Sequence, residues 1–263
     1  MVENNSILLL DYVGEKSNIA LITFNRQKAL NAFNDKMLDG LSSLLKSLKE
    51  NKTVRAIILY AEGKSWSAGV DLKWTASLGW RVMTVIRKGQ KVFSQIANHP
   101  TPVIAAINGY AIGGGMELAL SCDIRIASDN ALFGLTETTI GLNPGWGGTY
   151  HLPKVVGLSI AKDLILTGRK FSADEALEMG LIIEKVPLEE LKAKAIEKAE
   201  VIVKNAPIGL REAKKAIKKG LYSSLDGGFS AERKGARTCF RTKDIREGIK
   251  AVFEKRKPEF KGE

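Results

Sequence analysis

The 263-residue chain carries only two cysteines and two histidines. Cys122 and Cys239 stand far apart with no CxxC spacing, so neither a disulfide framework nor a zinc or other metal site is indicated. Both read as packing residues. His99 sits beside a proline and His151 in a glycine-rich segment, which leaves a Ser-His-Asp triad without an obvious base. No apolar run is long enough to span a bilayer, and the opening MVENNSILLLDY has no basic n-region. A cytoplasmic protein without a membrane partner is expected. Gly113, Gly115 and Leu118 fail the GxGxxG pattern, and Ser65 and Ser67 do not form a nucleophile elbow. No short-period repeat and no low-complexity tract is present.

Acidic residues are also in deficit. Asp and Glu number 29 against 40 Lys and Arg, for a formal charge of +11. From Pro207 to the end, 16 basic residues face 8 acidic ones, so the tail holds most of the excess. That excess suits a polyanion, either the phosphates of coenzyme A or a nucleic acid, or equally a solvated lysine-rich face. The tail's aromatics, Tyr222, Phe229, Phe240, Phe253 and Phe260, are spaced for helix packing rather than for base stacking. No nucleic acid partner is expected. Composition is otherwise that of a soluble protein, with 44% hydrophobic and 26% charged residues.

The most informative stretch runs from Pro102 to Asp123, PVIAAINGYAIGGGMELALSCD. Val103 to Ile107 suits a fully covered parallel strand, and a helix follows three glycines, Gly113 to Gly115. If the helix starts near Gly114, its first N–H groups have no partner within the helix and face outward at the positive dipole end. Glu117, one turn on, shares their face. Amide donors beside a carboxylate suit enolate chemistry. A glycine-rich helix start that merely packs on a strand, with Glu117 in solvent, is the alternative these residues leave open.

The rest of the chain alternates strand and helix. Ile7–Leu10 and Ile19–Phe24 read as a hairpin turning at Gly14, and Asp35–Asn51 as a helix capped by Asn34 or Asp35. Val54–Tyr60 is a strand ending in the loop AEGKSWSAGVDLK, and a helix is expected from Thr75 to Asn98. Short strands at Asp123–Ala127 and Ala131–Phe133 precede a glycine-dense loop that bears Glu137. Helices at Gly157–Leu166 and Ser172–Met179 follow, the second with a Ser172/Glu175 capping box, then a strand at Ile182–Val186. From Leu188 the pattern is helical to the end, with breaks at Ala206–Pro207 and Asp226–Gly228. The chain divides into an α/β core of residues 1–204 and a helical subdomain of residues 205–263.

IAAINGYAIGGGMELALSCD together with FGLTETTIGLNPGWGGT resembles the crotonase superfamily, the enoyl-CoA hydratases and isomerases. NRQKALNAF, GKSWSAGVDLK, TGRKFSADEALEMGLI and EGIKAVFEKRKPEFKGE extend the resemblance, in the family's order, over nearly the whole chain. It implies a spiral of repeated strand-strand-helix turns, with a C-terminal helical region that builds trimers, often paired into hexamers. It implies an acyl-CoA substrate whose carbonyl oxygen lies between the backbone N–H groups of Val70 and Gly114. The family's two catalytic glutamates match Glu117 and Glu137. Coenzyme A contacts match Lys28, Ala29 and Leu30, the loop from Ala68 through Asp71 and Leu72 to Lys73, and Lys255 reaching a neighbouring subunit. No cofactor is implied beyond the coenzyme A of the substrate.

Three residues depart from the family pattern: Gln27 and Thr136 replace common prolines, and Trp146 replaces a small residue. Trp146 is a candidate wall of the acyl pocket. An isomerase needs mainly Glu137 and a decarboxylase mainly the oxyanion hole. The presence of both glutamates favours hydration of a 2-enoyl-CoA.

Overall fold

The computed structural model describes residues 7–263. β1 (Leu8–Val13) and β2 (Ile19–Phe24) form the antiparallel hairpin, pairing Leu8 with Phe24 through to Val13 with Ile19. α1 (Asp35–Glu50) follows, capped by Asn34, whose side chain accepts from the Met37 amide at 3.0 Å. Met37, Leu38, Leu41, Leu45 and Leu48 form its buried face, as the helical spacing predicts.

Three similar turns come next. β3 (Ala56–Ala61) and β4 (Ser65–Ser67) lead to α2 (Leu72–Ser77) and α3 (Val82–Ala97). β5 (Val103–Ile107) and β6 (Tyr110–Ile112) lead to α4 (Gly114–Ser121). β7 (Ile124–Ser128) and β8 (Leu132–Gly134) lead to α5 (Gly148–Val156) and α6 (Leu158–Thr167). β9 (Phe171–Ser172), α7 (Ala173–Glu178) and β10 (Glu184–Val186) close the series before α8 (Leu191–Val203).

Each turn adds one strand to each of two sheets, ordered β1-β2-β3-β5-β7-β10 and β4-β6-β8-β9. The chain therefore advances as a spiral. Both faces of the larger sheet are covered. Val103, Ala105 and Ile107 of β5 join the main core, while Ile104 and Ala106 pack with Leu191, Ala195 and Ala199 of α8. That double burial explains the unbroken apolar runs. α9 (Pro207–Leu221), α10 (Leu225–Cys239) and α11 (Lys243–Phe253) complete the chain, and α10 packs chiefly on α9. Among the described residues no helix is long and apolar enough to cross a membrane.

The structure corrects several boundaries. The helix expected from Thr75 to Asn98 is two helices, broken by a 3₁₀ turn at Gly79–Arg81 where Gly79 has φ 52°. The loop AEGKSWSAGVDLK contains β4, too short for a period-two signal. The glycine-dense loop after β8 contains a 3₁₀ turn at Glu137–Ile140 and all of α5, helical despite Pro153. The break expected at Asp226–Gly228 falls earlier, because Ser224 caps α10 by accepting from the Gly227 amide at 3.3 Å. A further break precedes α11, where Thr242 caps, and the helical pattern ends at Phe253. At Ser172 the capping box forms with both its hydrogen bonds.

α4 lies so close to β4 that a Cβ on Gly115 would run into the Ser67 carbonyl. The nearest atoms it would meet, the oxygen and carbon of that carbonyl, are backbone and do not yield easily. Gly115→Ala is expected to lose about 1–3 kcal/mol of stability through overpacking, measured by urea unfolding; an unchanged midpoint would mean that the α4–β4 contact is soft.

Candidate active site

The N-terminus of α4 meets the loop after β4. Gly69 has φ 88°, and a Cβ on it would lie 2.8 Å from the Ile112 carbonyl oxygen and 2.9 Å from the Gly114 nitrogen. Only glycine fits there. Phe33 brackets the next residue, donating its amide to the Gly69 carbonyl at 2.7 Å and accepting from the Asp71 amide at 2.9 Å. Val70 is thereby held between two fixed neighbours as an isolated parallel bridge to Phe33. Neither the Val70 nor the Gly114 amide has a hydrogen-bond acceptor among the described residues. Gly114 opens α4, so its N–H stands at the positive end of the helix dipole.

Glu117 lies inside the first turn of α4 and is 2% exposed. Its Oε1 accepts from the Trp146 amide at 2.7 Å and the Gly148 amide at 2.8 Å. Burial pushes its carboxyl up to about 7; the Gly148 and Trp146 amides oppose the rise and the charge of Glu137 adds to it. Glu117 is therefore poised to exchange a proton near neutrality. Glu137 opens the 3₁₀ turn after β8, and a Cβ on Gly113 would lie 2.9 Å from its Oε1. Glu137 is also raised, by burial, and its buried Oε2 accepts no hydrogen bond from any described residue. Two carboxyl groups that both resist ionisation thus share one end of α4.

The Trp146 ring fills the space behind this corner. It makes edge contacts with Phe33 and Phe93, at centroid separations of 6.0 and 5.1 Å, and lies against Gly89 of α3 and Gly114. Only 6% of the residue is exposed. It is a packing residue of the core whose main-chain amide orients Glu117. Pattern reading singled out the ring and missed the amide, because a backbone donor leaves no residue-type signal.

The family model described as enoyl-CoA hydratase/isomerase matches residues 14–263. This chain belongs to the enoyl-CoA hydratase/isomerase family. Over 262 residues it is 40% identical to the short-chain-enoyl-CoA hydratase of Clostridium acetobutylicum, with 98% of each chain covered. It is 38% identical to the crotonyl-CoA hydratase of Syntrophomonas wolfei, covering 94% of this chain and 95% of that one. The crystal structure of an enoyl-CoA hydratase from Bacillus anthracis superposes with a TM-score of 0.95 at 41% identity, covering 98% of this chain and all of that one. The spiral of strand-strand-helix turns is thus the fold of the enoyl-CoA hydratase/isomerase family.

The two segments matched to the family's coenzyme A contacts adjoin one another. The Ala68 amide donates to the Leu30 carbonyl at 3.0 Å, and Arg26 pairs with Asp71 at 2.7 Å. Asp71 also caps α2 by accepting from the Trp74 amide at 3.1 Å. Burial works to raise its carboxyl, but that amide and the Arg26 guanidinium hold it below the ordinary range. Lys28, Leu72 and Lys73 are exposed, and Ala29 is half-buried. Lys255 lies exposed after α11, with no hydrogen bond or ion pair to either segment among the described residues.

Sequence reasoning passed over Asn31, which organises this junction. Fully buried at φ 53°, it accepts from the Arg26 amide at 2.7 Å and donates to the Ser65 carbonyl at 2.6 Å and the Glu62 carbonyl at 2.9 Å. Asparagine tolerates the left-handed region better than most residues. Its position in NRQKALNAF, next to an apolar pair, was the available signal.

The raised Glu117 carboxyl has a thermodynamic consequence. Folded Glu117 keeps its proton up to about pH 7, whereas the unfolded group loses it near its ordinary value of 4.5. Stability therefore falls as pH rises through this window, and the full penalty is present above about pH 7. Glu117→Gln, which keeps an acceptor for both amides, is expected to stabilise the fold by up to about 3 kcal/mol at pH 8 and by little at pH 4.5. Urea unfolding at the two pH values measures this, and an equal effect at both contradicts it.

Proposed function

We propose that this chain adds water to a 2-enoyl-CoA thioester, giving a 3-hydroxyacyl-CoA. The observation that carries the reading is the pairing of two carboxyls pushed up by burial, the buried Glu117 and the half-buried Glu137, with the Val70 and Gly114 amides, which have no acceptor among the described residues. The thioester oxygen lies between the Val70 and Gly114 amides. As water adds at C3, negative charge moves onto that oxygen, where fixed donors and the α4 dipole stabilise it more than they stabilise the ground state.

Glu117, held as a base by the Trp146 and Gly148 amides, takes a proton from the attacking water. Glu137 delivers a proton to C2 of the enolate. The product carries the hydroxyl at C3 and one new hydrogen at C2, and transfer of a proton from Glu117 back to Glu137 restores the resting pair. Because the two groups interact, their protons are shared by the pair. A double-bond isomerase needs no water-activating base; the burial and orientation of Glu117 favour hydration. Decarboxylation uses neither carboxyl.

Coenzyme A runs along Lys28, Ala29 and Leu30 and the loop Ala68–Lys73, with Lys255 supplied by a neighbouring copy. The reaction takes no cofactor beyond it. A homotrimer or hexamer built through the C-terminal region fits the exposed apolar side chains there: Leu225, Phe240, Val252 and Phe253 are each more than 70% accessible. Residues 1–204 hold both glutamates and both amide donors, and residues 205–263 the assembly surface and Lys255. A cytoplasmic setting is in keeping with this chemistry.

Crotonyl-CoA tests the reading by loss of its conjugated thioester absorbance and gain of one water by mass. Glu117→Gln and Glu137→Gln are each expected to lower kcat by about 10²- to 10⁴-fold with little change in acyl-CoA affinity. Near-normal turnover by either variant removes that glutamate from the mechanism. In the unmodified enzyme, kcat/KM should fall as pH drops through about 7, where Glu117 takes up its proton; a flat profile down to pH 5 would contradict its role as base.

A further inference from the structure

A cavity of about 570 Å³ lies between α9 and the spiral, where the end of α4, the start of β7 and α5 face the helix. None of Val70, Gly114, Glu117, Glu137 or Trp146 lines it. Its volume falls within the roughly 300–1,000 Å³ typical of small-molecule sites. Most of its wall is apolar, with Leu120 and Ile124 on the spiral side and Leu210, Ile217 and Leu221 on α9.

Charge in this wall is one-sided. Arg125, Lys154, Lys214 and Lys218 face a single carboxylate, Asp123. Asp123 is already engaged, its Oδ2 accepting from the Val103 amide at 2.8 Å and from Lys214 at 2.6 Å. Arg125 is 9% exposed, and its guanidinium donates to the carbonyls of Leu181, Cys122 and Ala119 at 2.6, 2.8 and 3.2 Å. Among the described residues no carboxylate forms an ion pair with Arg125, Lys154 or Lys218. Lys154 instead rests over the rings of Tyr150 and Tyr222, 3.3 and 4.3 Å from their centroids. Arg125 is buried with no carboxylate paired to it among the described residues, and the exposed Lys154 and half-buried Lys218 stand at the rim of the same apolar wall, so the lining suits an amphipathic anion.

The titration of neighbouring groups agrees with this geometry. His151, in the same wall, is pushed down to about 4 by burial and by the charges of Lys154, Lys218 and Arg125. Lys218 is lowered by burial and by Lys214. Both groups resist adding positive charge where an anion would relieve it.

We propose that this cavity is a second, non-catalytic site for an aliphatic monocarboxylate, its carboxylate against Arg125, Lys154 and Lys218 and its chain along the apolar wall. A small inorganic anion leaves that wall unused, and a neutral lipid leaves the cations uncompensated. The inference does not depend on the assignment of the catalytic residues.

Calorimetric titration of the intact protein with decanoate tests it, beside decanol and with or without saturating butyryl-CoA to occupy the catalytic site. One saturable decanoate site per chain is expected, unaffected by butyryl-CoA and absent for decanol. The double variant Lys154→Gln/Lys218→Gln, changed at rim positions that need not disturb the fold, should weaken binding at least tenfold while hydrating crotonyl-CoA normally. The proposal is overturned by absence of saturable binding, by equal binding of decanol, by displacement with butyryl-CoA, or by unchanged affinity in the double variant.

Discussion

Glu117 Oε1 accepts two amide hydrogens from the segment that begins α5, and this contact joins α4 to the third turn of the spiral. A carboxyl that is 2% exposed would otherwise rotate or remain fully protonated. The two amides fix its direction and return part of the stabilisation that burial removes, leaving it near pH 7 rather than higher. The same segment sends the Trp146 ring behind Gly114, so one short run of chain sets both the orientation of the carboxyl and the packing of the helix start.

The spiral makes this arrangement possible. Each turn ends at the same side of the smaller sheet, so β4, β6 and β8 deliver Gly69–Val70, Gly113–Gly114 and Glu137 to one place although they come from distant parts of the chain. The β6–β8 register pairs Ile112 with Gly134, and the Gly113 amide donates to the Gly134 carbonyl at 2.8 Å, which holds the two later turns level. Rigid strands thus place what the loops carry.

Much of this was legible in the chain. Continuous apolar strands, the Leu-rich face of α1 and the Ser172/Glu175 capping box follow from local physics, and the structure contains each. The helix start at Gly114 and Glu117 on its inner face were visible as a glycine run before a single carboxylate. Four kinds of feature were not legible. β4, β6 and β9 are too short to show a period, and only pairing makes them strands. α5 was hidden by its glycines and Pro153, which argue for a loop until the tertiary contact with Glu117 outweighs them. The backbone donors of Trp146 and Gly148 have no side-chain signature at all, and Trp146 drew notice only for its ring. Helix breaks at 222–224 and before α11 depend on serine and threonine caps that compete with many similar residues nearby.

The central claim is that Glu117 is a buried carboxyl held near neutrality, and carbon-13 NMR of protein labelled at the glutamate side-chain carboxyls measures it directly. The account predicts one carboxyl resonance with an apparent midpoint near pH 7, lost in the Glu117→Gln variant. If every glutamate titrates below pH 5, or if the neutral-range resonance persists in that variant, Glu117 is not the poised group and the account fails.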